Sequence, residues 1–148
     1  MPRILLVADA KSVLAEVRAA LEDADSEISE VSSGEAVRQA VAEDAPDLVV
    51  TDLQVGAMGG MAICLDLRLE ASGGRLPHVP VLVLLDRRAD VFLARRSAAE
   101  GWVLKPLDPL RLRRAARVLL DGGVYHDESF KPLPLPPSPS PSPLRTGA

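Results

Sequence analysis

Three residues with the means for phosphoryl chemistry stand far apart in the chain. Each follows an apolar run: Asp9 after ILLVA, Asp52 after LVVT and Lys105 after WVL. Two carboxylates brought near one point repel, and a hard divalent cation such as Mg²⁺ relieves that repulsion with oxygen ligands. One carboxylate can then be a nucleophile, while the cation neutralises nonbridging phosphoryl oxygens and an ammonium balances the charge on the phosphorylated acceptor. Lys105 is the ammonium of this set. Taken singly the residues are ordinary: a strand-end aspartate often serves a turn, and a Lys-Pro pair usually lies on a surface. Their meaning depends on a fold that gathers strand ends.

The apolar pattern supplies one. Ile4–Val7, Glu27–Val31, Leu48–Thr51, Val79–Leu85 and Trp102–Leu104 read as strands, the first, third and fourth as continuous apolar runs of the kind buried on both faces. Between them run helical patterns. Val13, Leu14, Val17, Leu21 and Ala24 share one face, with Ser12 as its expected N-cap. Ala36, Val37, Ala40 and Val41 share another, which Ser33 begins and Pro46 ends. A third helix is expected around Met61–Leu67, a fourth between roughly Ala89 and Ala99, and a fifth from Pro109 with a stripe of Leu112, Ala115, Ala116, Leu119 and Leu120. Gly122 and Gly123 end the last helix. Five strands alternating with five helices predict a doubly wound five-stranded parallel sheet whose site lies beyond the strand carboxyl ends.

The stretches ILLVADA, PDLVVTDLQVGAMGG, PVLVLLD and GWVLKPLDP resemble the receiver domain of bacterial two-component response regulators, over residues 3 to about 121. The resemblance implies a flavodoxin-like fold and a phosphoacceptor at Asp52. It also implies a phosphate-contacting lysine at Lys105 and Mg²⁺ held by Asp9, Asp52 and the backbone carbonyl of Gln54. A sensor histidine kinase or phosphotransfer protein is the implied donor, and an effector protein or a second copy of the chain the implied output partner. Self-phosphorylation and autodephosphorylation are the only activities this implies, with no metabolic substrate.

Several positions depart from the family pattern. Ala8 replaces the first member of the acidic pair, so Mg²⁺ should bind weakly. Leu85 stands where a Thr or Ser hydroxyl usually couples the phosphoryl group to the distal face, and leucine has no donor. Asp86 takes the place of a small residue at the pocket mouth; pointing inward it would oppose a phosphoryl group, and it could instead contact cation-bound water. Val55-Gly56 and Gly59-Gly60 replace a more constrained loop. Trp102 corresponds to the family's aromatic switch position, either a packed strand-end aromatic or a binding anchor. Arg113 and Arg117, in a last helix that also carries Arg111 and Arg114, would form a charged rim around it on a partner surface.

Composition bounds the remaining classes. A chain of 148 residues with 47% hydrophobic content fits one ordinary domain, expected to end near residue 121. The one cysteine, Cys64, excludes an internal disulfide and reads as a small buried hydrophobe, while His78 and His126 are too isolated to be metal ligands and read as loop residues. The opening resembles neither a signal peptide nor a membrane span, so a cytoplasmic location is expected. A net charge of −4, with no aromatic stacking set and no helix-turn-helix, makes direct DNA binding an unfavoured reading. A nucleotide-binding enzyme is poorly supported too, since Ala8–Ser12 holds no glycine-rich phosphate cradle. Residues 122–148 read as a disordered tail, with seven prolines between Lys131 and Pro143. Two functions remain: a stand-alone phosphoacceptor, and an atypical receiver kept as a phosphorylation-independent protein-binding module.

Overall fold

Apolar runs long enough to be buried on both faces form the centre of the sheet. In the computed structural model, which describes residues 2–22, 26–55 and 59–127, these runs are β1 (Arg3–Val7), β3 (Leu48–Asp52) and β4 (Val81–Leu85). Around them lie α1 (Lys11–Leu21), β2 (Glu27–Val31), α2 (Gly34–Glu43), α3 (Gly60–Ser72), α4 (Val91–Arg96), β5 (Gly101–Leu104), α5 (Pro109–Leu120) and β6 (Tyr125–His126). The strand order is β2-β1-β3-β4-β5-β6, and every pairing is parallel.

Alternation along each strand divides the core in two. Leu5, Val7, Val49, Val83, Leu85 and Trp102 pack with Val37, Ile63, Leu67 and Ala94 from α2, α3 and α4. Ile4, Leu6, Val50, Leu84 and Val103 face α1 and α5 through Val17, Leu21, Leu112, Ala116 and Leu119. Cys64 is buried on the first face, as expected, and its Sγ donates to the Ser97 carbonyl.

Local signals explain most boundaries. The Ser33 hydroxyl accepts from Ala36 N, and Asp108 accepts from Leu110 and Arg111 N–H groups beside Pro109 at the start of α5. Ser12 is not the cap of α1: the extended residue is Ala10, no side chain caps it, and Ser12 lies inside the first turn. The strand expected from Val79 begins at Val81, because Pro80 has no N–H to give and serves only through its carbonyl, which accepts from Val49 N. The fourth helix is shorter than expected. A 3₁₀ turn, Arg88–Asp90, leads into α4, and Ala98 turns left-handed at φ 60° directly after it.

The sheet has a sixth strand that the sequence reading did not contain. Gly122, at φ +86°, and Gly123, whose N–H reaches Val118 O, turn the chain back along β5. The glycines do end α5, but the chain does not leave the domain at residue 121. It stays packed through Asp127, which is buried. The proline-rich run Lys131–Pro143 lies outside the described residues. No helix among the described residues is long and apolar enough to cross a membrane.

Candidate functional site

Parallel register brings the three distant residues to one edge. Val7 pairs with Thr51, so Asp52, the last residue of β3, and Asp9, two residues past β1, lie at the carboxyl ends of neighbouring strands. Leu85 pairs with Leu104 and accepts the Lys105 N–H at 2.8 Å, which places Lys105 beside them from the other side. The Lys105–Pro106 peptide is cis.

Asp52 is the most enclosed of the three, its side chain 7% exposed. Its Oδ1 accepts from Lys105 Nζ and from Leu53 N, each at 2.9 Å. Among the described residues no donor sits on Oδ2. Asp86, more exposed, turns its Oδ1 to within 2.9 Å of Lys105 Nζ, so one ammonium bridges two carboxylates. Burial alone would lower the Lys105 pKa, but the hydrogen bonds and charges of Asp52 and Asp86 outweigh it and hold the pKa above the usual lysine value.

Asp9 and Asp52 offer hard carboxylate oxygens at adjacent strand ends, the ligand type Mg²⁺ takes with waters completing the shell. Ala8, whose N–H donates to Val31 O, contributes none, and among the described residues no group of three acidic, histidine or cysteine side chains converges. The two carboxylates suit a hard ion, with fewer charges than an acidic pair plus the strand-three aspartate would give. Gln54 itself is exposed directly after β3.

The loop after Asp52 is tighter at its far end than its glycines imply. A Cβ at Gly60 would sit 2.4 Å from Asp52 O, and Gly60 N donates to Leu53 O at 2.7 Å. Gly60 is therefore the residue that lets α3 begin against the backbone of Asp52. The Gly-Gly pair was its only sequence signal. The first part of that loop, Gly56–Met58, lies outside the described residues.

The expected partner surface is divided. Leu85 is fully buried in the core, and Trp102, 1% exposed, is not a surface anchor. Its ring stacks on His126 at 4.1 Å with planes 4° apart, and Arg95 lies 5.4 Å from its centroid. His126 is therefore a strand residue covering an aromatic, while His78 sits in a loop 3.1 Å from Glu100 Oε2. Arg113 and Arg117 cannot rim Trp102. They line a groove of about 450 Å³ between α1 and α5 with Pro2, Ile4 and Asp47, across the sheet from the indole and toward the opposite strand ends. The helical period had placed both on α5, but which sheet face α5 covers depends on topology.

Residues 4–117 match the family described as the response regulator receiver domain. The chain belongs to that family. The receiver is 31% identical over 120 residues to the DNA-binding response regulator MtrA of Mycolicibacterium smegmatis, a match covering 80% of this chain and 50% of MtrA. The chain thus spans about half the length of that relative. In fold the receiver is similar to the signal receiver domain of a signal transduction histidine kinase from Syntrophus aciditrophicus (TM-score 0.73, 24% identity, 82% of this chain and 92% of that one). It is similar too to the chemotaxis response regulator CheY4 of Vibrio cholerae (TM-score 0.69, 22% identity, 79% and 97%). Receiver domains act in two-component signalling with histidine kinases and effectors, and as a family they bind Mg²⁺ at the acidic site.

Proposed function

We propose that this receiver acts in the cytoplasm, accepts a phosphoryl group at Asp52 from a sensor histidine kinase or phosphotransfer protein, and passes its state on through protein contacts. The observation that carries the reading is the Asp52–Lys105 pair. An enclosed carboxylate at the end of a central strand is held through one oxygen, at 2.9 Å by an ammonium, while the other oxygen carries no donor among the described residues.

In the transfer, Asp52 Oδ2 attacks the phosphorus of the donor's phosphohistidine. The P–N bond breaks as the P–O bond forms, and the imidazole nitrogen keeps the electron pair and takes a proton. Lys105 stays beside the acceptor and balances the charge it gains. Asp9, Asp52 and the Gln54 carbonyl would hold Mg²⁺, which would supply neutralisation of the nonbridging oxygens. The residue at position 8 adds no charge to that set, which makes the ion weakly held.

Two observations favour a second reading, a phosphorylation-independent binding module. Asp86 already supplies Lys105 with a second anion at 2.9 Å, and Leu85 has no hydroxyl to sense a phosphoryl group. Acetyl phosphate treatment in Mg²⁺ followed by intact-mass measurement separates the two. A phosphoryl adduct that disappears in Asp52→Asn supports the acceptor; no adduct with Mg²⁺ bound overturns it and leaves the binding module.

A further inference from the structure

The outer edge of β5 is closed by residues 125–127 of the same chain. Tyr125 N donates to Glu100 O at 3.0 Å and Asp127 N to Trp102 O at 3.3 Å, so residues 125–127 add to the sheet as an extended segment. Two side chains then seat it. The His126 ring lies flat on the Trp102 indole. The Asp127 carboxylate, 2% exposed, accepts from Leu104 N at 2.9 Å and stands 3.8 Å from Arg111. This segment follows residue 117, where the match to the family stops.

We propose that the β5 edge is a docking strip for an extended segment of a partner protein, and that residues 124–127 are a latch seated in it. The latch displays the chemistry the strip takes: a flat ring stacked on Trp102, followed directly by a carboxylate that caps Leu104 N–H and faces Arg111. A strand edge provides the main-chain hydrogen bonds for such a peptide, and the side-chain sites provide selectivity.

The latch is built to be exchanged. Its ladder is two residues long, His126 is exposed on its outer side, and the link to α5 runs through Gly122 and Gly123. Isolated two-residue pairing is weak, and it holds here through the high effective concentration that a short tether gives. The seated latch also leaves a group unmet: the buried Trp102 Nε1–H has no acceptor among the described residues. A partner segment that brings an oxygen to that nitrogen gains over the latch. The proposal does not depend on phosphoryl transfer at Asp52.

The test uses the full chain with Asp127→Asn and, separately, His126→Ala, which keeps every main-chain bond should the first variant fail to fold. Acrylamide quenching of the single tryptophan reads whether its covered face opens. A labelled synthetic peptide of residues 122–129 serves as the probe, with binding read by anisotropy and circular dichroism reporting the fold. Quenching is expected to rise several-fold in the variants, and the peptide to bind Asp127→Asn about tenfold more tightly than the unmodified chain, whose tethered latch competes. A peptide carrying both His126→Ala and Asp127→Ala should not bind. Unchanged quenching in both variants, or no peptide binding to a variant with an opened Trp102, overturns the proposal. So does a strand-exchanged dimer, which would make a second copy the occupant.

Discussion

Asp86 Oδ1 and Asp52 Oδ1 lie at the same 2.9 Å from Lys105 Nζ, one from the end of β4 and the other from the end of β3. The ammonium that should serve the acceptor is therefore shared before any phosphoryl group arrives. Asp86 also adds a negative charge beside Lys105 and Asp52, which would repel an anionic donor.

Asp86→Asn should release Lys105 to Asp52 and remove that repulsion. Because the Asp86 side chain is 41% exposed, solvent screens much of the effect, and an exposed pair of this kind is worth about 0.5–1 kcal/mol. Phosphorylation by acetyl phosphate should accelerate roughly two- to fivefold, followed by adduct mass against time. A slower reaction would show that Asp86 assists the site instead.

The raised Lys105 pKa carries a pH signature. Stabilisation by the charged ammonium is fully present below the unfolded value of 10.5 and is lost as pH rises through the higher folded value. Urea unfolding from about pH 10.5 upward should thus show a steeper loss of stability for the unmodified chain than for Lys105→Met. Parallel curves would mean the bridge contributes nothing to folding.

Restoring the missing acid should strengthen cation binding. Ala8→Asp is expected to raise Mg²⁺ affinity on the order of tenfold in calorimetric titration, and Asp52→Asn to lower it. An unchanged affinity in a folded Ala8→Asp chain would place the deficit elsewhere.

Gly60→Ala tests the backbone seat of the acceptor. Its Cβ would meet Asp52 O at 2.4 Å, a contact relieved only if α3 or the end of β3 moves. A loss of about 1–3 kcal/mol in urea unfolding is expected, together with slower Asp52 phosphorylation. Unaltered stability and rate would show that the loop yields without disturbing Asp52.

Leu85→Thr tests readout. A hydroxyl at this fully buried position should lower stability by about 1–3 kcal/mol and enlarge the acetyl-phosphate-dependent change in Trp102 fluorescence, without being needed for the adduct. A large response in the unmodified chain that requires Asp52 would show that readout does not need a hydroxyl at position 85.

The sequence alone determined the parallel α/β order and the placement of Asp9, Asp52 and Lys105 at strand ends. Those features follow from apolar runs, helical period and turn residues within short windows of chain. Only the tertiary structure decided where Asp86 points, because its choice between pocket and solvent depends on an ammonium 19 residues away. Tertiary packing likewise put Arg113 and Arg117 across the sheet from Trp102, since helical period places side chains around a helix but does not say which sheet face the helix covers. Val-Tyr-His-Asp after two glycines is too short to register as a strand. It becomes one because the edge of β5 offers unpaired main-chain groups, an indole face and the Leu104 N–H, none of them local to it in sequence.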